Sequence, residues 1–208
     1  MARYNGPVCR ICRRLGDKLY LKGEKCYTPK CAFERRPFPP GQRSTRRRKV
    51  SDRGMQLREK QRGRAVYGIL ETQFRRYYED AVRRPGVTGE NLVRTLELRL
   101  DNTAFRLGFA DSRAQARQIV LHGHITVNGR KSAIPSHVLK VNDVVGLTGR
   151  GQRSEYFKIV SENIASKSIP SWLSLDIAQM SGRVLALPEV DEIGAKFSPA
   201  TIVEYYSR

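Results

Sequence analysis

Ser112-Arg113-Ala114-Gln115-Ala116-Arg117-Gln118-Ile119-Val120-Leu121-His122-Gly123-His124-Ile125-Thr126-Val127-Asn128-Gly129-Arg130 contains a helix start, a helix stop and a hairpin. Ser112 and Gln115 stand three apart, as in a capping box, and the helix they open runs until Gly123, a residue suited to a left-handed cap. Ile125 and Val127 then alternate with polar residues. Asn128-Gly129 is the dipeptide favoured where both central residues of a two-residue hairpin need positive φ. Asp143 to Leu147 supplies a further apolar strand. The expected fold class is therefore α+β, with a small α/β module carrying short antiparallel strands. It begins near Glu97, and with its extension it reaches residue 189.

On the short helix, Arg113 and Arg117 are four apart and share a face, read as lying away from Ile119 and Val120. Two guanidiniums so placed can bracket a phosphate, Gln118 adds an amide donor and acceptor, and the helix N-terminus favours anions. The bland alternative is an ordinary solvated helix face. His122 and His124 are separated by one residue and have no nearby carboxylate pair. They are read as backbone-facing or helix-capping groups rather than metal ligands.

Upstream, residues 46–96 read as a helical domain. Ser51 or Asp52 caps a first helix, Thr72 a second, and Phe74, Tyr77, Tyr78 and Ala81 fall at helical spacing before Pro85-Gly86. Sharing one face, these aromatics are read as core rather than as base-stacking platforms. Arg58, Lys60, Arg62 and Arg64 are expected to leave the opposite side positive. Thr88 opens a further helix, with Leu92, Val93, Leu96, Leu100, Ala104 and Leu107 as its stripe.

All four cysteines lie in the first 31 residues, at 9, 12, 26 and 31. Paired thiolates with short intervening loops are the ligand pattern of a closed structural zinc site, and the expected compartment is reducing, which disfavours disulfides. One structural zinc ion held by Cys9, Cys12, Cys26 and Cys31 is therefore expected, ahead of an iron–sulfur cluster that spacing alone does not separate. Four thiolates and a divalent ion would leave a negative site, so some of Arg10, Arg13, Arg14, Lys25 and Lys30 balance it while the rest face phosphates. The sequence does not apportion them.

Pro37-Phe38-Pro39-Pro40-Gly41 ends this module, and Arg43, Arg46, Arg47, Arg48 and Lys49 follow as a basic arm expected to order only on binding nucleic acid. Residues 1–45 thus form a zinc knuckle with its arm.

The chain has 208 residues, 39 Lys plus Arg against 20 Asp plus Glu, and a net charge of +19. The excess is concentrated at one end: residues 1–49 carry 15 basic and 3 acidic side chains, whereas residues 162–208 carry 4 and 6. Self-repulsion on that scale points to a polyanionic partner. Neither a basic amphipathic helix with a wide apolar face nor a lipidation signal favours a membrane, and no apolar run suggests a leader or a span. A cytosolic nucleic-acid binder is expected, without a small-molecule substrate and without self-association.

The run Ser112-Arg113-x-x-Ala116-Arg117-Gln118-x-Val120-x-His122-Gly123-His124-Ile125-x-Val127-Asn128-Gly129 resembles the small RNA-binding domain first named from small-subunit ribosomal protein four. That domain is also found in some pseudouridine synthases and tyrosyl-tRNA synthetases. Leu57-Arg58-Glu59-Lys60-Gln61, Tyr67-Gly68, Gln73-Phe74, Arg99-Leu100-Asp101-Asn102, Pro170-x-Trp172-Leu173-x-Leu175-Asp176 and Val203-Glu204-Tyr205-Tyr206-Ser207-Arg208 extend the similarity over essentially the whole chain. The chain is identified as a member of the bacterial family of that ribosomal protein, and its cysteines match the zinc-bearing type. Between Arg43 and Met55 the family pattern fits poorly.

The resemblance implies a primary binder of small-subunit ribosomal RNA at a multi-helix junction. It also implies nucleation of subunit-body assembly, an influence on decoding accuracy, contact with small-subunit protein five and, in some members, repression of the protein's own messenger RNA. It further implies that residues 190–208 return to complete the helical domain. The candidate RNA contacts are Arg10, Arg13, Arg14, Arg35, Arg36, the arm from Arg43 to Lys49, Arg58, Lys60, Arg62, Arg64, Ser112, Arg113, Gln115, Arg117, Gln118, His122, His124, Asn128 and Lys131.

Two other classes share parts of this pattern. An RNA-modifying enzyme would need a catalytic domain, and no Gly-x-Ser-x-Gly, phosphate loop or paired-His motif occurs; Gly149-x-Gly151 reads as a turn. A zinc-containing DNA regulator would use the same charge to read base edges in a groove.

Overall fold

The computed structural model describes residues 3–42 and 49–207. In chain order the helices are α1 Cys9–Leu15, α2 Ala32–Arg35, α3 Asp52–Val66, α4 Glu71–Arg83, α5 Thr88–Glu97, α6 Leu100–Arg106, α7 Arg113–Leu121, α8 Gly149–Gln152, α9 Glu155–Asn163, α10 Val190–Ile193 and α11 Pro199–Tyr206. The strands are β1 Ile125–Val127, β2 Arg130–Lys131, β3 Val144–Leu147, β4 Leu173–Asp176 and β5 Ser181–Val184. The chain divides into two compact units, residues 1–93 with 195–208 and residues 94–194.

In the first unit, Ser51 caps α3 by accepting a hydrogen bond from the Gly54 amide at 3.2 Å. Helix α11 packs along α3 where Gly63 leaves room: a Cβ there would stand 3.2 Å from Ile202 Cδ1. Ile202 and Phe74 are fully buried. Tyr206 stacks on Tyr78 with ring centroids 4.6 Å apart and donates its hydroxyl to Glu71 Oε1 at 2.7 Å. Polar ties support this contact, with Gln56 Nε2 donating to Glu204 Oε2 at 3.1 Å and the Ser198 amide to Glu59 Oε2 at 3.0 Å.

The second unit is built on an antiparallel five-stranded sheet in the order β2-β1-β3-β5-β4. Ile125 pairs with Leu147 and Val127 with Val145, so alternate residues face one core. That core joins Ile125, Val145 and Val184 to Leu100, Leu107, Val120, Phe157 and Trp172. Asn128 and Gly129 both have positive φ, 50° and 76°, as the predicted hairpin requires. Gly182 is held to glycine by Leu107, whose side chain fills the space a Cβ would take.

Three expectations are corrected. Thr72 does not cap the second helix, because α4 starts at Glu71 behind Leu70. The stripe from Leu92 to Leu107 is not one helix but two, broken at Leu98 and Arg99. There the chain is extended and bonds to a distant segment: the Leu139 amide donates to the Leu98 carbonyl and the Leu100 amide to the His137 carbonyl, each at 2.8 Å. Gly149-x-Gly151 likewise lies in the short helix α8 rather than in a plain turn. The hairpin of β4 and β5, with Leu173 opposite Val184, was not anticipated.

Candidate nucleic-acid interface

Helix α7 starts as its sequence dictates. Ser112 Oγ accepts from the Gln115 amide at 3.3 Å, and Gln115 Oε1 accepts from the Asp111 amide at 2.9 Å. Of the three residues expected to face solvent, Gln118 does and the two arginines do not. Ala114, Gln118 and His122 are exposed, whereas Arg117 is only 6% exposed. Arg117 Nη1 donates to Asp101 Oδ2 at 3.0 Å. Arg113 is half-buried, donates from Nε to Asn102 Oδ1 at 2.7 Å, and sets its guanidinium 4.6 Å from the Phe105 ring centre. The two arginines share a face, but it is the face laid on α6, so they do not bracket a solvent phosphate.

The exposed edge of α7 opens instead onto a cavity of about 280 Å³, lined by Gln115, Gln118, His122, His124, Tyr156 and Phe157. His122 and His124 have ring centroids 6.3 Å apart. Burial, together with the positive charges of Arg150, His122 and Lys131, holds the His124 imidazole below its ordinary pKa. It therefore offers hydrogen bonds rather than charge at neutral pH. Tyr156 donates its hydroxyl to the Phe109 carbonyl at 3.1 Å, and burial followed by the Asp111 charge raises its pKa. Sequence reasoning did not single out Tyr156 or Phe157, which reach the cavity only because α9 packs beside α7. Lys131 is exposed, as is Asn128. The Asn128 side chain is engaged locally, donating to Asp143 Oδ1 at 2.8 Å and accepting from the Val144 amide at 2.9 Å.

In the first unit, Arg10, Arg14, Arg35, Arg36, Lys49 and Arg58 are exposed. Arg13 is half-buried and donates to the Phe38 carbonyl at 2.8 Å. The positive face expected on α3 is partly neutralised. Lys60 is 5% exposed and donates to Glu71 Oε1 at 2.6 Å. Arg62 pairs with Glu59, and Arg64 Nε lies 3.9 Å from Glu71 Oε2. Arg43, Arg46, Arg47 and Arg48 lie outside the described residues.

Cys9, Cys12, Cys26 and Cys31 line one small cavity with Lys18 and Leu21, and all four are free thiols. Cys12, Cys26 and Cys31 are each 7% exposed. Burial pushes the Cys12 thiol up, the Leu19 backbone hydrogen bond opposes this, and Cys26, Cys9 and Cys31 add to the rise. A thiolate there needs a cation beside it. Among the described residues, no group of three or more His, Cys, Asp or Glu side chains stands in metal-holding geometry. The donor set fits zinc in chemistry, and the sulfurs share a cavity without being drawn into a coordination shell.

Among the described residues, no helix is long and apolar enough to cross a membrane. Residues 3–97 match the family described as the ribosomal protein S4/S9 N-terminal domain, and residues 98–145 match the S4 domain. The small ribosomal subunit protein uS4 of Heliobacterium modesticaldum is 56% identical over the full length of both chains. The proteins of the same name from Pelotomaculum thermopropionicum and Dehalococcoides mccartyi are each 55% identical, again over the full length of both chains. With both units matched and every residue aligned, the chain belongs to the uS4 family of small ribosomal subunit proteins.

Proposed function

We infer that this chain is a structural, non-enzymatic ribosomal-RNA-binding protein of the small ribosomal subunit. The observation that carries the reading is the full-length identity of 55–56% to small-subunit proteins. The exposed arginines of the first unit and the polar cavity beside α7 supply the chemistry: phosphate contacts that position and hydrogen bonds that can reach an unpaired base. Binding spread over two units suits a primary binder that ties RNA helices together, nucleates assembly of the subunit body and contributes to decoding accuracy. Small-subunit protein five is the proposed protein partner, and the chain's own messenger RNA a second RNA target. One zinc ion held by Cys9, Cys12, Cys26 and Cys31 is the proposed cofactor, on the strength of their spacing and shared cavity.

Sedimentation of cell lysate through a sucrose gradient tests the reading. The chain should travel with the small subunit, and purified chain should prefer structured small-subunit ribosomal RNA to duplex DNA at moderate salt. A chain found only free, or with equal affinity for both polymers, would reject it.

A further inference from the structure

The cysteine module carries an aromatic pair that none of the contacts above employs. Tyr20 has φ +54°, in the left-handed region that bulky side chains rarely occupy. Its ring meets that of Tyr27, with centroids 4.8 Å apart and planes at 32°. The Lys196 ammonium lies 4.0 Å from the centre of the Tyr20 ring and the Lys18 ammonium 5.3 Å from it. Lys196 is itself fixed, donating from Nζ to the Lys18 carbonyl at 3.0 Å.

Tyr27 is 74% exposed, more than any other large hydrophobic side chain among the described residues. Its backbone is nonetheless pinned: its amide donates to the Glu24 carbonyl at 2.8 Å, and it directly follows the buried Cys26. Tyr27 thus stands on a pinned backbone, rests one side against a second ring that two ammonium groups face, and leaves the rest of its π-surface open for a stacking ligand to cover. Lys22, Lys25 and Lys30 are exposed in the same loop, so the cover should be polyanionic.

We propose that Tyr27, backed by Tyr20, is a stacking platform for one unpaired base of ribosomal RNA. Base-on-tyrosine stacking is tolerant of sequence because every base has a π-face, while the lysines around it hold the adjoining phosphates. The inference rests on the RNA-binding reading above and adds to it a named contact that is neither ionic nor part of the α7 cavity.

The test uses the full chain and small-subunit ribosomal RNA. The wild-type preference for that RNA over duplex DNA is measured first, and its absence would overturn the functional reading itself. With that preference in hand, Tyr27→Ala should weaken binding roughly ten-fold, with the slope of affinity against salt unchanged because no charge is removed. Tyr27→Phe should bind like wild type. RNA carrying 5-iodouridine should photocrosslink to the peptide containing Tyr27. Thermal melts of both variants should match wild type, since little of Tyr27 is buried. Unchanged affinity of Tyr27→Ala would overturn the proposal. So would equal losses in Tyr27→Ala and Tyr27→Phe, which would assign the contact to the hydroxyl. A defect seen only in subunits containing other proteins, with naked RNA bound normally, would assign Tyr27 to a protein partner and also overturn it.

Discussion

Asp101 receives Arg117 across the α6–α7 contact, Nη1 to Oδ2 at 3.0 Å, and it receives Arg99 as well, Nε to Oδ1 at 3.0 Å and Nη2 to Oδ2 at 2.6 Å. One buried carboxylate thus pairs with two buried guanidiniums. Beside it, the fully buried Glu97 takes Arg106 through both its oxygens, at 2.9 and 3.0 Å, and takes Asn102 Nδ2 at 2.8 Å. The helix pair that carries the α7 face is therefore set by charge pairing inside the protein, before any RNA is met.

The asymmetry of this cluster gives a graded outcome. Asp101→Ala removes the carboxylate that both guanidiniums share in a dry site and should destabilise the protein by about 3–5 kcal/mol. Arg117→Met leaves Asp101 still paired with Arg99 and replaces the long side chain with an apolar one, so its cost should be clearly smaller. Guanidinium titration of both variants decides the matter. Equal losses would mean that Arg99 does not hold Asp101 in solution.

Glu71 is the acidic hub of the first unit. Burial pushes its carboxyl up, but hydrogen bonds from Lys60 and Tyr206 and the charges of Lys60 and Arg64 outweigh that, so its pKa lies below the ordinary value. Burial and the bond to Glu71 raise the Tyr206 hydroxyl in turn. A carboxyl depressed in the folded state contributes stability that is fully present above its unfolded value, near 4.5, and is lost as pH falls through the lower folded value. Urea midpoints should therefore drop on acidification below that point, and Glu71→Gln should flatten the drop. An acid limb of unchanged steepness in Glu71→Gln would rule this hub out as its source.

Local chemistry was legible in the sequence, and long-range pairing was not. Ser112 capping α7 and the left-handed Asn128-Gly129 turn follow from short-range rules alone. The break between α5 and α6 could not be seen, because Leu100, Ala104 and Leu107 keep helical spacing while the interruption comes from residues near 138. The burial of Arg117 was hidden for a related reason. Four-residue spacing shows that Arg113 and Arg117 share a face, but only Asp101, sixteen positions earlier, decides that the face is inside. The hairpin of β4 and β5 needs Gly182 to admit Leu107, a tertiary demand with no local signature.

The cysteine cavity predicts a metal-dependent fold for the first 42 residues. Purified chain should carry one zinc ion, and a strong chelator should release it and expose that segment to protease. Cys26→Ser should bind little metal and show the same cleavage without chelator. Metal analysis with limited proteolysis checks both, and a metal-free chain of undiminished resistance would leave the four thiols as ordinary buried groups.

Exposure separates phosphate contacts from structural arginines in a way that salt can read. Arg14 and Arg58 are exposed and Arg117 is buried on Asp101, although all three look alike as basic residues in a basic chain. Each phosphate contact releases counterions, so removing one lowers the slope of log affinity against log salt by about 1. Arg14→Ala and Arg58→Ala should each flatten the slope by about that amount and weaken binding to ribosomal RNA most at low salt. Arg117→Met should leave the slope alone, because its charge is neutralised within the protein, and any affinity it loses should track lost stability. Titration of the three variants against one RNA from low to moderate salt tests this, and a flattened slope for Arg117→Met would put that guanidinium on a phosphate despite its burial.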